Sequence, residues 1–347
     1  MAREKIISSK SISADDEKLN LALRPTTLNE CIGSGDLLEK LRISITAARQ
    51  RSEPMEHVLL HGPPGLGKTT LAYVIAHEMG STIKVSSGPA LTRASDLIGI
   101  LTNLEPLDVL FIDEIHRLSP AVEEYIYPAM EDYKVDFVVD SGMHSRTINL
   151  PLKPFTLIGA TTRSGMLSPP LRTRFGITHH MEFWPPADLL KRCRMSAEML
   201  KIEYDEPALA ALAGRARGTP RIANRLLRRC RDYAQVKSDG RLTSQTVAAA
   251  LKLEGIDELG LDDLDRRFLT RIVDTYKGGP VGIEAVAATL GEETDTLVDV
   301  VEPFLLQIGL LARTRRGRQV TTKAYEHLGL APSEQPAAPS EQGELFE

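Results

Sequence analysis

Gly62-Pro63-Pro64-Gly65-Leu66-Gly67-Lys68-Thr69 fits the G-x-x-x-x-G-K-[ST] spacing, and its surroundings decide the fold. It follows the apolar run Val58-Leu59-Leu60 and opens the helical pattern Thr70 to Ala76, the strand, loop and helix context that a phosphate-binding loop requires. Glycines let the backbone wrap an anion with no Cβ in the way, so successive N–H groups and the positive end of a helix face it. Downstream, Val109-Leu110-Phe111-Ile112-Asp113-Glu114 reads as a buried strand ending in two carboxylates, which is costly unless a cation and a polarised water wait there. Together the two motifs predict hydrolysis of a nucleoside triphosphate with ATP and Mg²⁺ as the expected pair. Gly65, Gly67, Lys68, Thr69 and Thr70 hold phosphates, Thr69 and Asp113 hold the metal, and Glu114 orients the attacking water.

Around this centre, short β-rich runs alternate with helical patterns from about Arg24 to Trp184: Val58 to Leu60, Ile83 to Ser86, Val109 to Asp113, Thr156 to Ala160 and Met181 to Phe183. This predicts an α/β P-loop core, a parallel sheet with helices on both faces. Trp184-Pro185-Pro186 marks a boundary, because consecutive prolines continue neither a helix nor a central strand. Beyond it, helical spacing in Leu189 to Met199, Ala208 to Ala216, Arg221 to Ala234 and Thr243 to Leu253 predicts a small all-helical domain. Residues 264 to 330 read as a helix, the Gly278-Gly279-Pro280 turn, helices at Ile283 to Leu290 and Thr294 to Ile308, and a hairpin around Arg316-Gly317. That order suggests a winged helix. The expected division is a flexible segment 1–20, an ATPase domain 21–184, a helical lid 185–255, a winged-helix head 256–330 and a disordered acidic tail 331–347.

An apolar share of 42% and a charged share of 26% are those of an ordinary folded protein. No apolar run approaches the ~20 residues that span a bilayer, and Met1 to Asp16 is charged where a signal peptide needs an apolar core, so a cytoplasmic protein without a membrane role is expected. Cys31, Cys193 and Cys230 lie far apart without ligand spacing and read as buried thiols. The net charge of −5 is misleading, because Glu334, Glu341, Glu344 and Glu347 of the tail supply four of those charges. Basic residues cluster in Arg225 to Arg231 and Arg313 to Arg318, each a possible footprint for phosphates.

From about Leu23 to Leu330 the residues resemble the RuvB family, the bacterial Holliday-junction branch-migration motors among the AAA+ ATPases. The resemblance rests on Leu23-Arg24-Pro25, on both nucleotide motifs, and on the strings from Tyr127 to Asp132, Ile158 to Ser164, Pro170 to Gly176, Gly218 to Cys230 and Leu305 to Gly309. Generic AAA+ proteins share only the first motifs. The resemblance implies sensor 1 at Thr162, sensor 2 at Arg221, and an arginine finger at Arg174 that reaches a neighbouring subunit's ATP in a homo-hexamer, with Arg172 close enough to share that role. It further implies that Leu23, Arg24, Glu131, Asp132, Tyr133 and Trp184 lie near nucleotide, the family commonly having Tyr at 184. Two alternating runs between Lys134 and Leu150 read as a projecting hairpin, on which the resemblance makes Ile148 and Leu150 contacts for RuvA. On the wing it implies that Arg313 and Arg318, with Arg315 and Arg316 adding charge, touch duplex DNA and Holliday junctions through the backbone. RuvC is a further implied partner. Gln342 to Phe346 looks like a peptide that docks on a sliding clamp. Two rival readings stay open from the residues: a clamp-loader or helicase-loader ATPase, and a nucleotide-gated winged-helix regulator.

Overall fold

The computed structural model describes residues 23–33, 35–139 and 146–331. The expectations for residues 1–20 and for the tail, including the clamp peptide at 342–346, lie outside these residues. The chain divides into two compact units, one through Glu254 and one from Gly255.

The first unit is built on a five-stranded parallel sheet in the order β2-β3-β6-β1-β7: β1 (Val58–His61), β2 (Ile83–Ser87), β3 (Val109–Asp113), β6 (Thr156–Thr161) and β7 (Ile177–His180). The three central strands are buried on both sides, which is why they read as continuous apolar runs. Their side chains alternate between two cores. Val58, Leu60, Val109, Phe111, Ile158 and Ala160 pack under α1 (Gly35–Arg51) and α2 (Lys68–Met79). Leu59, Leu110, Ile112 and Leu157 pack under α3 (Ala94–Thr102) and α4 (Pro120–Glu131).

The fifth strand corrects the sequence reading, which placed it at Met181 to Phe183. β7 runs instead over Ile177-Thr178-His179-His180, in register with β1. As an edge strand with one neighbour it needs no apolar run, so polar residues carry it. Between α4 and β6, β4 (Lys134–Val139) and β5 (Arg146–Pro151) pair antiparallel with Phe137 opposite Ile148 and Val135 opposite Leu150. A short helix α5 (Pro169–Thr173) leads into β7.

Four helices complete this unit: α6 (Pro186–Met199), α7 (Glu206–Gly214), α8 (Pro220–Lys237) and α9 (Ser244–Leu253). Helix α8 buries Ala223, Leu226, Leu227, Cys230 and Ala234 at helical spacing. It also buries Arg225 and Arg228, so the basic run on this helix is not the exposed phosphate footprint suggested by its sequence.

The second unit holds α10 (Asp263–Tyr276), α11 (Ile283–Leu290), then α12 (Thr294–Thr296), a π-helical turn (Leu297–Val301) and α13 (Glu302–Gln307) where one continuous helix was expected. The hairpin β8 (Leu311–Thr314) and β9 (Gly317–Val320) follows, with a closing helix α14 (Thr322–Leu328) that the periodicity of so short a segment did not disclose. Leu269, Val286, Leu305, Leu310 and Tyr325 are among its core residues.

Candidate active site and nucleic-acid interface

The loop between β1 and α2 is shaped by its glycines. Gly62 sits at φ 138°, and a Cβ there would lie 2.3 Å from the Met181 carbonyl oxygen, so the loop can leave β1 only without a side chain. Gly65, at φ 83°, faces the first turn of α8: its built Cβ would lie 3.4 Å from Arg221 Cβ, and Arg221 N donates to Gly65 O at 3.4 Å. Sensor-2 candidate Arg221 therefore packs directly on the phosphate loop.

Lys68 is buried, and its Nζ donates to Gly62 O (2.7 Å) and Pro63 O (2.8 Å). Desolvation pulls its pKa down to about 8, against the opposing pull of Asp113; nearby Arg221 lowers it further. Arg221 is likewise shifted down by desolvation, again opposed by Asp113. Two desolvated cations thus converge where one carboxylate acts on both, an environment that fits a polyanion better than it fits solvent. Thr69 and Thr70 lie in the first turn of α2, half-buried.

At the end of β3, Glu114 adopts a left-handed conformation (φ 48°), with its N–H donating to Asp113 Oδ1 (3.0 Å). This kink turns the second carboxylate out of the strand, where Oε2 meets Arg117 Nη1 at 3.3 Å in an exposed pair. Gly62 N donates to Thr161 O (3.1 Å), which sets half-buried Thr162 beside the start of the loop. Thr161 itself is engaged elsewhere, its hydroxyl 2.8 Å from His116 Nδ1.

The base-side candidates are placed by contacts that the sequence reading missed. Arg24 lies over the Tyr73 ring of α2 at 5.3 Å, close enough to Arg221 for each to feel the other's charge. The carbonyl of buried Leu23 accepts from Arg192 Nη2. Arg192 is itself buried on α6, three residues after Leu189 and therefore on that helix's apolar stripe, a position at which a charged residue was the available signal. Trp184 lays its indole over Gly33, and its backbone N–H donates to Gly218 O (2.8 Å).

Glu131, Asp132, Tyr133 and Arg174 form a second group at the other end of the sheet. His57, just before β1, bonds the Met130 carbonyl (3.1 Å), and its own carbonyl accepts from Ile177 N (3.1 Å). The end of α4 and the start of β7 therefore border the entry of β1, whereas the phosphate loop leaves its exit, roughly 13 Å away for four residues at ~3.3 Å each. Arg174 pairs with Glu131 (3.2 Å) and stacks on Tyr127 (4.4 Å).

In the second unit, Arg313, Arg315 and Arg316 are exposed around the hairpin tip. Arg318 is 9% exposed, and its guanidinium is paired edge-on with Glu302 through Nε–Oε1 and Nη2–Oε2 (3.0 Å) at the base of the wing. On the β4–β5 hairpin, Ile148 is 46% exposed and Leu150 half-buried. Cys193 and Cys230 are buried and Cys31 half-buried, each thiol shifted up first by desolvation. Among the described residues no helix is long and apolar enough to cross a membrane.

A phosphate loop on a β-sheet of order 2-3-6-1-7, with a four-helix layer delivering an arginine back onto that loop, defines an AAA+ P-loop ATPase. Residues 23–181 match the Holliday junction DNA helicase RuvB P-loop domain, residues 185–257 the RuvB AAA lid domain, and residues 258–329 the RuvB C-terminal winged helix domain. The chain belongs to the RuvB family. It is similar to a solved lysine-to-arginine variant of RuvB from Thermotoga maritima (48% identity over 90% of this chain and 99% of that one, TM-score 0.84). It is also similar to the structure described as the Thermotoga maritima RuvB Holliday junction branch migration motor (48% identity, 89% and 99%, TM-score 0.82).

Proposed function

We propose that this chain is an ATP-driven motor that moves duplex DNA and drives branch migration of Holliday junctions in recombination and repair, working as a homo-hexamer. The observation that carries the reading is the pair of desolvated cations, Lys68 and Arg221, on a glycine loop contacted by the helical layer, within a chain of the RuvB family.

In this reading residues 21–184 carry the ATPase, 185–255 the lid and 256–330 the DNA-binding head. Gly65, Gly67, Lys68, Thr69 and Thr70 cradle the phosphates, and Leu23, Arg24 and Trp184 flank the nucleoside. Mg²⁺, when bound, supplies Lewis-acid polarisation of the phosphates, and Thr69 and Asp113 are the residues that would hold it. Glu114 accepts the proton of the attacking water, and Thr162 orients that water or the γ-phosphate. Arg174, with Glu131, Asp132 and Tyr133 beside it, serves the neighbouring subunit's site, which its place at the far end of the sheet supports. Loss of the γ-phosphate removes a contact from Arg221, and the lid then shifts against the loop it touches through Gly65.

Arg313, Arg315 and Arg316 hold DNA by its phosphates, a mode indifferent to sequence, as a motor requires. Ile148 and Leu150 are the proposed contacts for RuvA, with RuvC a further partner of the junction complex. The tail peptide at 342–346 remains a separate proposal for a sliding clamp.

The test is ATP turnover by the full-length chain, with duplexes of unrelated sequence, alone and with RuvA. Equal stimulation by all duplexes, lost in Glu114→Gln, supports the motor; stimulation by one sequence alone would favour a regulator.

A further inference from the structure

The finger candidate Arg174 caps α5, a helix of five residues that cannot by itself fix so long a side chain. Its fixation comes from elsewhere. The guanidinium carbon lies 4.4 Å from the centre of the Tyr127 ring; Nη1 donates to Pro170 O (2.7 Å) and Nη2 to Glu131 Oε2 (3.2 Å). Tyr127 is itself held. Its hydroxyl donates to Glu123 Oε2 (2.8 Å), one turn back on α4, and the Ser168 hydroxyl donates to that same oxygen (2.6 Å). Ser168 is the N-cap of α5, its Oγ accepting from Leu171 N (3.3 Å). Glu123 is 7% exposed, so the carboxylate that ties ring and helix together is shielded from water.

We propose that Tyr127 is the positioning residue of the arginine finger: its face carries the Arg174 guanidinium, and its hydroxyl, through Glu123 and Ser168, fixes that face relative to the helix bearing the finger. The proposal rests on the reading of Arg174 as a finger acting in the adjacent subunit. The chemistry separates the roles of the two neighbours of Arg174. Glu131 uses an N–H edge, so it competes with any phosphate oxygen for the guanidinium. Tyr127 uses only the π face and itself occupies no N–H donor, so its contact persists while Glu131 is exchanged. A side chain held in this way has surrendered its rotamer freedom before the phosphate arrives, and the gain appears in turnover rather than in substrate binding.

The experiment uses full-length rings with duplex DNA and measures kcat and KM for ATP. Tyr127→Ala is expected to lower kcat by about tenfold with KM held within about twofold, and Tyr127→Phe, which keeps the face but loses the tie, by about two- to threefold. Mixed with Lys68→Ala subunits, which do not hydrolyse but bring an intact finger, both variants should recover several-fold in turnover per active site. A role confined to folding would not recover, because the altered packing stays in the subunit whose own loop is working. Arg174→Ala mixed with Lys68→Ala is the reference. If Arg174→Ala recovers and the Tyr127 variants do not, or if they keep wild-type kcat, the positioning role is overturned while the finger stands. Failure of Arg174→Ala to recover overturns the finger and this proposal with it. Should Tyr127→Ala rings not assemble, Tyr127→Phe alone decides between these outcomes.

Discussion

Replacing Arg318 by Ala would leave Glu302, 2% exposed, as a buried carboxylate without its guanidinium. Breaking a buried pair from one side costs about 3–5 kcal/mol, because the remaining charge keeps its desolvation penalty and loses its attraction. For a domain of this size each kcal/mol moves the midpoint by about 4–8 °C, so the winged-helix transition of the full-length chain should fall by more than about 10 °C in calorimetry. The double variant Arg318→Met with Glu302→Leu removes both charges and should restore the midpoint to within a few degrees, since a buried pair replaced by apolar side chains is often neutral or stabilising. That restored protein is the informative one. Its affinity for duplex DNA, measured by fluorescence anisotropy across a salt series, should match the parent in both midpoint and slope. By contrast Arg313→Ala, Arg315→Ala and Arg316→Ala should each leave stability within about 0.5 kcal/mol and flatten the salt slope by about 0.9 per lost phosphate contact. A stable double variant whose salt slope drops by about one would instead place Arg318 on the DNA surface.

Two further outcomes follow from the loop itself. Lys68 sits at about 8 instead of its ordinary 10.5, so between those values the unfolded chain holds a proton that the folded, nucleotide-free site has shed; stability of that form should therefore rise with pH across the window. Nucleotide favours the charged amine, so binding at pH 9 should take up close to one proton, read as a dependence of calorimetric heat on buffer ionisation enthalpy; zero uptake at pH 9 would contradict the assignment. Gly62→Ala drives a Cβ to 2.3 Å from a backbone oxygen and should abolish binding of a fluorescent ADP analogue, whereas Gly80→Ala, at φ 70° with open space around it, should cost about 1 kcal/mol and leave binding intact. Equal behaviour of the two variants would show that the loop tolerates the displacement.

The central strands were legible because Val58 to Leu60, Val109 to Ile112 and Thr156 to Ala160 are buried on both faces and are therefore mostly apolar, with buried Thr156 satisfied by the Met55 carbonyl. The same logic explains the miss at β7, an edge strand free to carry Thr178 and His180 on its exposed positions. Burial of charge was the harder problem. Arg225 and Arg228 read as a basic cluster, yet α8 turns both inward among its apolar residues. Arg318 shares the inward face of β9 with Val320, two residues on, a period-two signal that was present but outweighed by the run of arginines around it. Glu302, which makes that burial tolerable, lies on a different element, and no local pattern points to it. Tyr127 was hidden for a related reason, and Arg192 showed only as a charge on an apolar stripe: each contacts a residue distant in sequence, and such pairings exist only once the chain is folded.

The decisive measurement of motor activity is dissociation of a synthetic four-way DNA junction with arms of unrelated sequence, using full-length protein with ATP, Mg²⁺ and RuvA and with Glu114→Gln as the paired control. A branch-migration motor gives junction dissociation that requires ATP and is lost in the Glu114→Gln protein although that protein still binds nucleotide. Sustained ATP hydrolysis with the junctions left intact, RuvA present, would contradict it.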